Sequence, residues 1–284
     1  MIICSALYYF GSLDHPESLV RDNRYYPGKA VQAFPVWWAY LRKHYPTTQV
    51  CLFADTASPI PIEPLLTALP EPWYEMCDVL PSLASRAYPL VWVKWLSSHS
   101  RKYFRSMQRN LVEAICLAYR LNEDLLFIDN DCFCNTNVLP LLAGMDMASS
   151  DIEAHQMTMG SVFFYISKQR LHALDGIGID LPNFLMTMLN DGPLETRMHT
   201  LQEGGLYKLF CYGKARVLGP HIQLSHLSCY EHFVTFLRRN PVDTPQYRDL
   251  LAQLASFDMD TLHGVEMTFL DMMYPENATL KEAQ

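Results

Sequence analysis

Asp124–Cys134 reads DLLFIDNDCFC, an apolar run that ends abruptly in two aspartates one residue apart. A short continuous apolar run bounded by polar residues has the length of a buried strand. Such strands belong to sheets covered on both faces. Leu125–Ile128 is therefore expected to be a strand with the carboxylates at its C-terminal edge, where open α/β sheets receive their ligands. In extended backbone, side chains two apart point to one side. Asp129 and Asp131 are then expected to converge while Asn130 faces away, and two converging carboxylates call for a cation.

Upstream, Tyr103–Tyr119 carries helical apolar spacing (Met107, Leu111, Ala114, Ile115, Ala118) and feeds directly into the strand. Arg105 and Arg109 share one face of that helix, a turn apart. Ile2–Leu7 reads as a first buried strand, followed by a loop at Tyr8–Gly11 and a polar, turn-rich excursion over Ser12–Gly28. The spacing predicts a helix beginning at Pro35 and stopped by Pro46, since proline suits a first turn. Gln49–Ala54 is a second strand ending at Asp55, Leu65–Leu69 a short helix and Trp73–Val79 a weaker strand. Leu80–Ser100, with Trp92 and Trp95, reads as an aromatic loop.

Downstream, Asn137–Leu142 predicts a short helix, and Asp146–Ser149 and Ser161–Ile166 predict strands. Ser167 is an N-cap for the residues that follow. Phe184–Leu189 and Gly204–Tyr212 read as helices, and Arg216–Leu218 and His221–Leu227 as extended. Beyond His226 the pattern changes to three helical stretches, Glu231–Arg239, Gln246–Phe257 and Thr261–Met273.

With 284 residues, 50% of them hydrophobic, the chain can bury a large core. A formal net charge of −8 and the absence of a long basic run give no electrostatic case for a nucleic-acid or anionic-membrane binder. MIICSALYYF lacks a basic leader and a small-residue cleavage site. No apolar stretch approaches the roughly 20 residues of a spanning helix. A cytoplasmic protein is the expectation. The eight cysteines lie mostly in apolar segments without Cys-x-x-Cys spacing, which reads as reduced core residues rather than a zinc site.

The order of features carries a resemblance: a strand at the start, a long helix running into LLFIDND, then GSVFFYIS, then Gln202-Glu203 before a helix, then QLSHL. Over Ile2–Tyr230 this resembles a glycosyltransferase of the GT-A fold. The resemblance implies an α/β fold, with a mixed, mainly parallel sheet flanked by helices. Residues 1–230 would form the nucleotide-sugar-binding domain and 231–284 a helical C-terminal extension packed on it. It also implies that Asp-x-Asp holds Mn²⁺ or Mg²⁺ against the diphosphate of a UDP- or GDP-sugar, with Asp131 the main ligand and Asp129 reaching the metal, the ribose or both. A hard cation on oxygen ligands stabilises the negative charge of a departing diphosphate.

Asp-x-Asp by itself also caps helices and fills turns. A haloacid-dehalogenase-type phosphatase shares the apolar strand and the acidic pair. Its usual Thr or Val two positions after the second Asp is Phe133 here, and its motif usually lies near the N-terminus. Both departures count against it.

By the resemblance, His226 in QLSHL supplies a late imidazole, and a neutral histidine is a reasonable third ligand for Mn²⁺. The alternative is a half-buried histidine bonded to backbone, with His221, Ser228 and His232 as nearby substitutes. Glu203 resembles an acid that contacts the acceptor hydroxyl, or is an ordinary acid at a helix N-terminus. Gln202 is an alternative sugar contact. Arg105 and Arg109 suit phosphate recognition, or a solvated helix face. Ser5, Ala6 and Tyr8 fall where the family grips the nucleoside, with core packing the alternative for Tyr8. Asp151 and Gly160 fall beside the donor sugar or acceptor, and Gly160 permits close backbone approach or simply turns the chain. Trp92 and Trp95 are stacking platforms or core.

The expected function is metal-dependent transfer of a sugar from a nucleoside diphosphate to an acceptor hydroxyl. A metal-dependent phosphatase or nucleotidyltransferase using the same aspartates, and a non-catalytic binding module, stay open as alternatives. So do the acceptor (glycan, lipid, protein or modified nucleic acid), retention or inversion, and the oligomeric state.

Overall fold

A computed structural model describes residues 1–7, 27–56, 58, 61–67, 74–76, 91–96, 103–153, 158–160, 162–190, 209–210, 215–227 and 230–256. In chain order these form β1 (Ile2–Leu7), α1 (Pro27–His44), β2 (Gln49–Asp55), α2 (Glu63–Thr67), β3 (Tyr74–Met76), β4 (Val91–Leu96), α3 (Tyr103–Leu121), β5 (Leu125–Ile128), β6 (Cys132–Cys134) and α4 (Leu139–Leu142). There follow β7 (Met147–Ser149), β8 (Ile152–Glu153), β9 (Thr158–Met159), β10 (Phe163–Ile166), α5 (Lys168–Leu171), α6 (Leu181–Asn190), β11 (Ala215–Val217), β12 (Leu224–His226), α7 (Tyr230–Arg239) and α8 (Pro245–Leu254).

The main sheet has eight strands in the order β11-β7-β10-β5-β1-β2-β4-β3. All its pairings are parallel except those of β10, which runs antiparallel to both β5 and β7. This is the mixed, mainly parallel sheet flanked by helices that the resemblance implies. Two small ribbons, β6 with β12 and β8 with β9, stand apart from it.

The central strands read as unbroken apolar runs because both of their faces are covered. Ile3, Leu7, Leu52, Leu126 and Ile128 face one apolar cluster with Phe34, Trp37 and Leu41 of α1. Their alternating neighbours Cys4, Ala6, Cys51, Phe53, Leu125 and Phe127 face a second cluster with Val112, Ile115 and Ala118 of α3. The first cluster also takes in Phe233 and Phe236 of α7 and Leu250 and Leu254 of α8, so the C-terminal helices pack on α1 and on the β6–β12 ribbon. The third expected C-terminal helix lies outside the described residues.

Two expectations are corrected. The first helix does not begin at Pro35: it starts at Pro27 and carries Pro35 in its interior. Proline there forfeits one backbone bond, but Phe34 and Trp37 on either side are almost wholly buried and stack at 5.7 Å. Their burial keeps the helix intact. Within the stretch expected to be a loop, VWVKWL is β4, an inner strand between β2 and β3, so Trp92 and Trp95 lie on a strand. Its lysine had masked the pattern of a covered strand.

The other expected elements that fall on described residues lie within a few residues of their predicted bounds; the loop at Tyr8–Gly11 lies outside the described residues, as do most of the Ser12–Gly28 excursion, whose last two residues begin α1, and most of the expected Gly204–Tyr212 helix. Ser167 caps α5 by accepting the Arg170 N–H at 3.1 Å. Cys4, Cys51, Cys116, Cys132 and Cys134 are buried in the core, as expected of cysteines in apolar segments. No described helix is long and apolar enough to cross a membrane.

Candidate metal centre

β5 ends at Ile128, and the two aspartates follow in a turn rather than in extended backbone. The Cys132 N–H donates to the Asp129 carbonyl at 3.0 Å, closing a four-residue turn. Convergence of the carboxylates therefore comes from turn geometry, which corrects the expected strand alternation. Asn130 does not face solvent: it is 6% exposed, and its Nδ2 donates to the Ala6 carbonyl at the end of β1.

Three neighbouring strands hold this turn. The Asp129 N–H donates to the Val162 carbonyl just before β10 at 2.8 Å, Asn130 reaches β1, and the Leu227 N–H just after β12 donates to the Asp131 carbonyl at 3.1 Å. Because β1, β2, β4 and β5 are parallel, the turn sits on the edge where all four end. Asp55, at the end of β2, is another acid on that edge and is almost wholly buried.

β12 brings the third group. It pairs antiparallel with β6, placing His226 opposite Cys132, directly after the aspartate turn. Ser225 is buried while Leu224 and His226 are half-buried, the alternation of a strand with one face on the core. One donor atom each from Asp129, Asp131 and His226 lies within 4.8 Å of the others. His226 Nε2 is 2.9 Å from Asp131 Oδ1. Among the described residues, no hydrogen-bond donor is assigned to this buried Asp131 oxygen.

Asp129 and Asp131 are each 8% exposed. Burial first, and then the charge of Asp131, push the Asp129 carboxyl up to about 7, against the opposing pull of His226 and of the Asn130 N–H. The same environment raises the Cys132 thiol well above its ordinary value, through burial first and then the two aspartates. Buried carboxylates at this separation repel unless a cation or proton lies between them. The donor-less Asp131 oxygen, a second hard oxygen and an imidazole nitrogen fit a divalent ion such as Mn²⁺.

The other expected site residues are placed less uniformly. Ser5 is wholly buried and Ala6 nearly so within β1. Arg109 is half-buried on α3, and Arg105 lies on the same helix, with its side chain outside the description. Asp151 is exposed after β7, and its carbonyl accepts the Gly160 N–H at 2.8 Å.

A Cβ on Gly160 would meet Ser150 Oγ at 2.7 Å and Ser149 Oγ at 3.3 Å, so the close approach this glycine permits is to the protein's own serines. Tyr8, Gln202, Glu203 and Ser228 lie outside the described residues. Of the substitutes for His226, His221 is exposed beside Arg216 at 3.0 Å, and His232 is exposed on α7. Sequence reasoning missed Asn130 and the Leu227 N–H. Neither had a local signal, because their partners are 124 and 96 positions away.

Fold and site together define an α/β protein with a candidate divalent-metal centre at the C-terminal edge of its main sheet. No family model and no curated protein matches the chain. Among solved structures it is similar to a Bacillus anthracis protein described as a glucose-1-phosphate thymidylyltransferase, in complex with a sucrose. The TM-score is 0.42 and the identity 8%, over 87% of this chain and 98% of that one. It is also similar to the apo structure of WbbM, a bifunctional glycosyltransferase, with TM-score 0.40 and 12% identity over 93% of this chain and 51% of that one.

Proposed function

We propose that the protein is a metal-dependent glycosyltransferase that uses a nucleoside-diphosphate sugar. The observation that carries this reading is the convergence of Asp129, Asp131 and His226 within 4.8 Å, with a buried donor-less oxygen on Asp131. They stand at the sheet edge where α/β proteins bind ligands. Asp129, Asp131 and His226 would hold the cation, Mn²⁺ or Mg²⁺. When bound, that ion supplies Lewis-acid stabilisation to a departing diphosphate.

The chain's own groups do the rest. The clamped turn keeps both carboxylates at fixed positions, and burial on the strand edge excludes water from their inner side. A histidine that ligates a metal does so as the neutral imidazole, so His226 would add a ligand without adding charge. In this reading residues 1–230 bind the donor, UDP- or GDP-linked, and residues 231–284 support them. Arg105 and Arg109 are proposed for the donor phosphates, Ser5, Ala6 and Tyr8 for the nucleoside, Asp151 and Gly160 for the border of the sugar, and Gln202 and Glu203 for the acceptor side.

The test is a screen of nucleotide-sugars with Mn²⁺, scoring which product leaves. Release of a nucleoside diphosphate that stops with EDTA supports sugar transfer. Pyrophosphate release from a nucleoside triphosphate and a sugar phosphate assigns the centre to nucleotidyl transfer instead. Inorganic phosphate from a phosphomonoester assigns it to a phosphatase, and metal-dependent nucleotide-sugar binding without turnover to a binding module.

A further inference from the structure

The rung that β5 does not supply to β1 is supplied by a side chain. β1 pairs with β2 along its whole length, Ile2–Leu7, but with β5 only from Ile2 to Cys4. Past Cys4 the pairing stops: β5 runs only one residue further, to Ile128, and the chain then turns at Asp129, so at Ala6 no described strand lies beside this edge of β1. A buried carbonyl left there without a donor costs its lost hydration with nothing in return. The Asn130 amide fills this place through Nδ2 to the Ala6 carbonyl. The assignment of nitrogen rather than oxygen to that position follows from the partner, since a carbonyl only accepts.

The same residue acts in the opposite direction. Its backbone N–H donates to Asp129 Oδ1 at 3.0 Å, which holds one carboxylate oxygen against the turn and fixes the rotation of the group. Asn130 is thus bonded at its side chain to the sheet and at its main chain to one of the two aspartates. It is 6% exposed, too deep to act as a surface contact.

We propose that Asn130 is a positioning residue for the metal centre: it locks the aspartate turn onto the end of β1 and so sets the orientation in which Asp129 meets the cation. This rests on the proposed metal-binding reading of Asp129, Asp131 and His226. Groups that orient metal ligands typically change metal affinity by roughly 10- to 100-fold when removed.

The probe is Mn²⁺ alone, titrated into the full chain and followed by electron paramagnetic resonance, beside metal-free melting curves in EDTA. The variant is Asn130→Leu, of similar size but without a donor. The expected result is Mn²⁺ affinity weaker by roughly 10- to 100-fold and an altered spectrum of the bound ion, while the metal-free melting temperature moves by only a few degrees. Wild-type affinity and spectrum in Asn130→Leu overturn the positioning role. So does a fall in melting temperature with unchanged affinity per folded molecule, which makes Asn130 structural only. If Asn130→Leu does not fold, Asn130→Ala and Asn130→Ser replace it: the hydroxyl variant must bind Mn²⁺ more tightly than the alanine variant, and equal affinities overturn the proposal. A wild-type chain that takes up no Mn²⁺ overturns the metal reading itself, and this inference with it.

Discussion

The two arms of the centre are built differently. The carboxylate arm, Asp129–Asp131, hangs from β5, which has a strand on each side in the eight-stranded sheet, and its turn is tied to β1, β10 and β12. The imidazole arm is β12, three residues long, whose strand partner is the equally short β6. What braces it is the C-terminal helical layer. Phe133 of β6 packs on Phe233 at 4.9 Å and edge-on to Tyr40 at 5.5 Å. Asn240, after α7, donates to Gln223 Oε1 at 3.0 Å, and the Gln223 N–H donates to Asn135 Oδ1 at 3.0 Å.

A two-stranded ribbon has little stability of its own. Two acids of the centre thus depend on the sheet, while the histidine depends on helices that contribute no proposed ligand. The C-terminal helices matter to the site through what they hold in place.

The largest expected effect comes from Asp131→Ala, which removes the donor-less oxygen. Calorimetric Mn²⁺ binding should fall by more than roughly 100-fold, since a first ligand counts for more than the groups that orient it. The metal-free melting temperature should hold or rise, because one of two buried charges is gone. A collapse in melting temperature instead would make the acidic pair structural.

His226→Ala should weaken Mn²⁺ binding by less than Asp131→Ala does, because it removes a neutral ligand and not a charged one, while leaving the aspartate turn protected in hydrogen exchange. Equal loss of protection in β5 and β12 would erase the distinction between the arms. Phe233→Leu tests the brace. Amide exchange should quicken in β12 and not in β5, with Mn²⁺ affinity down by about tenfold or less, the lower end of what supporting groups contribute.

The smallest effect is on pH dependence. Asp129 is held above its ordinary value in the folded state, mainly by burial. Between the ordinary carboxylate range and about 7 the folded chain therefore binds more protons than the unfolded one. Stability of the metal-free protein should fall as pH rises through that window, by on the order of 1 kcal/mol per pH unit. Saturating Mn²⁺ should flatten the slope, because the cation replaces the proton. An equal slope with and without metal would separate Asp129 from the cation.

Legibility followed the range of the interactions. β1, β2, β5 and β10 were readable because double burial imposes an unbroken apolar run, which any local window detects. β4 was not, because Lys94 interrupts its run and its place between β2 and β3 is a property of the sheet. The extra turns before Pro35 were hidden for a related reason: local preference sets proline at a helix start, and aromatic burial overrides it.

From the sequence alone, Asp129 and Asp131 could be recognised as an acidic pair at a strand's end, because a strand's hydrophobicity and the polar break that follows it are written in neighbouring residues. That His226 stands 2.9 Å from Asp131 in space, 95 positions along the chain, was decided by tertiary structure. So were the turn that makes the carboxylates converge and the bond from Asn130 to Ala6. Each depends on where a strand stops relative to a neighbour it meets only after folding. Strand lengths and registers of that kind are set by packing across the whole sheet.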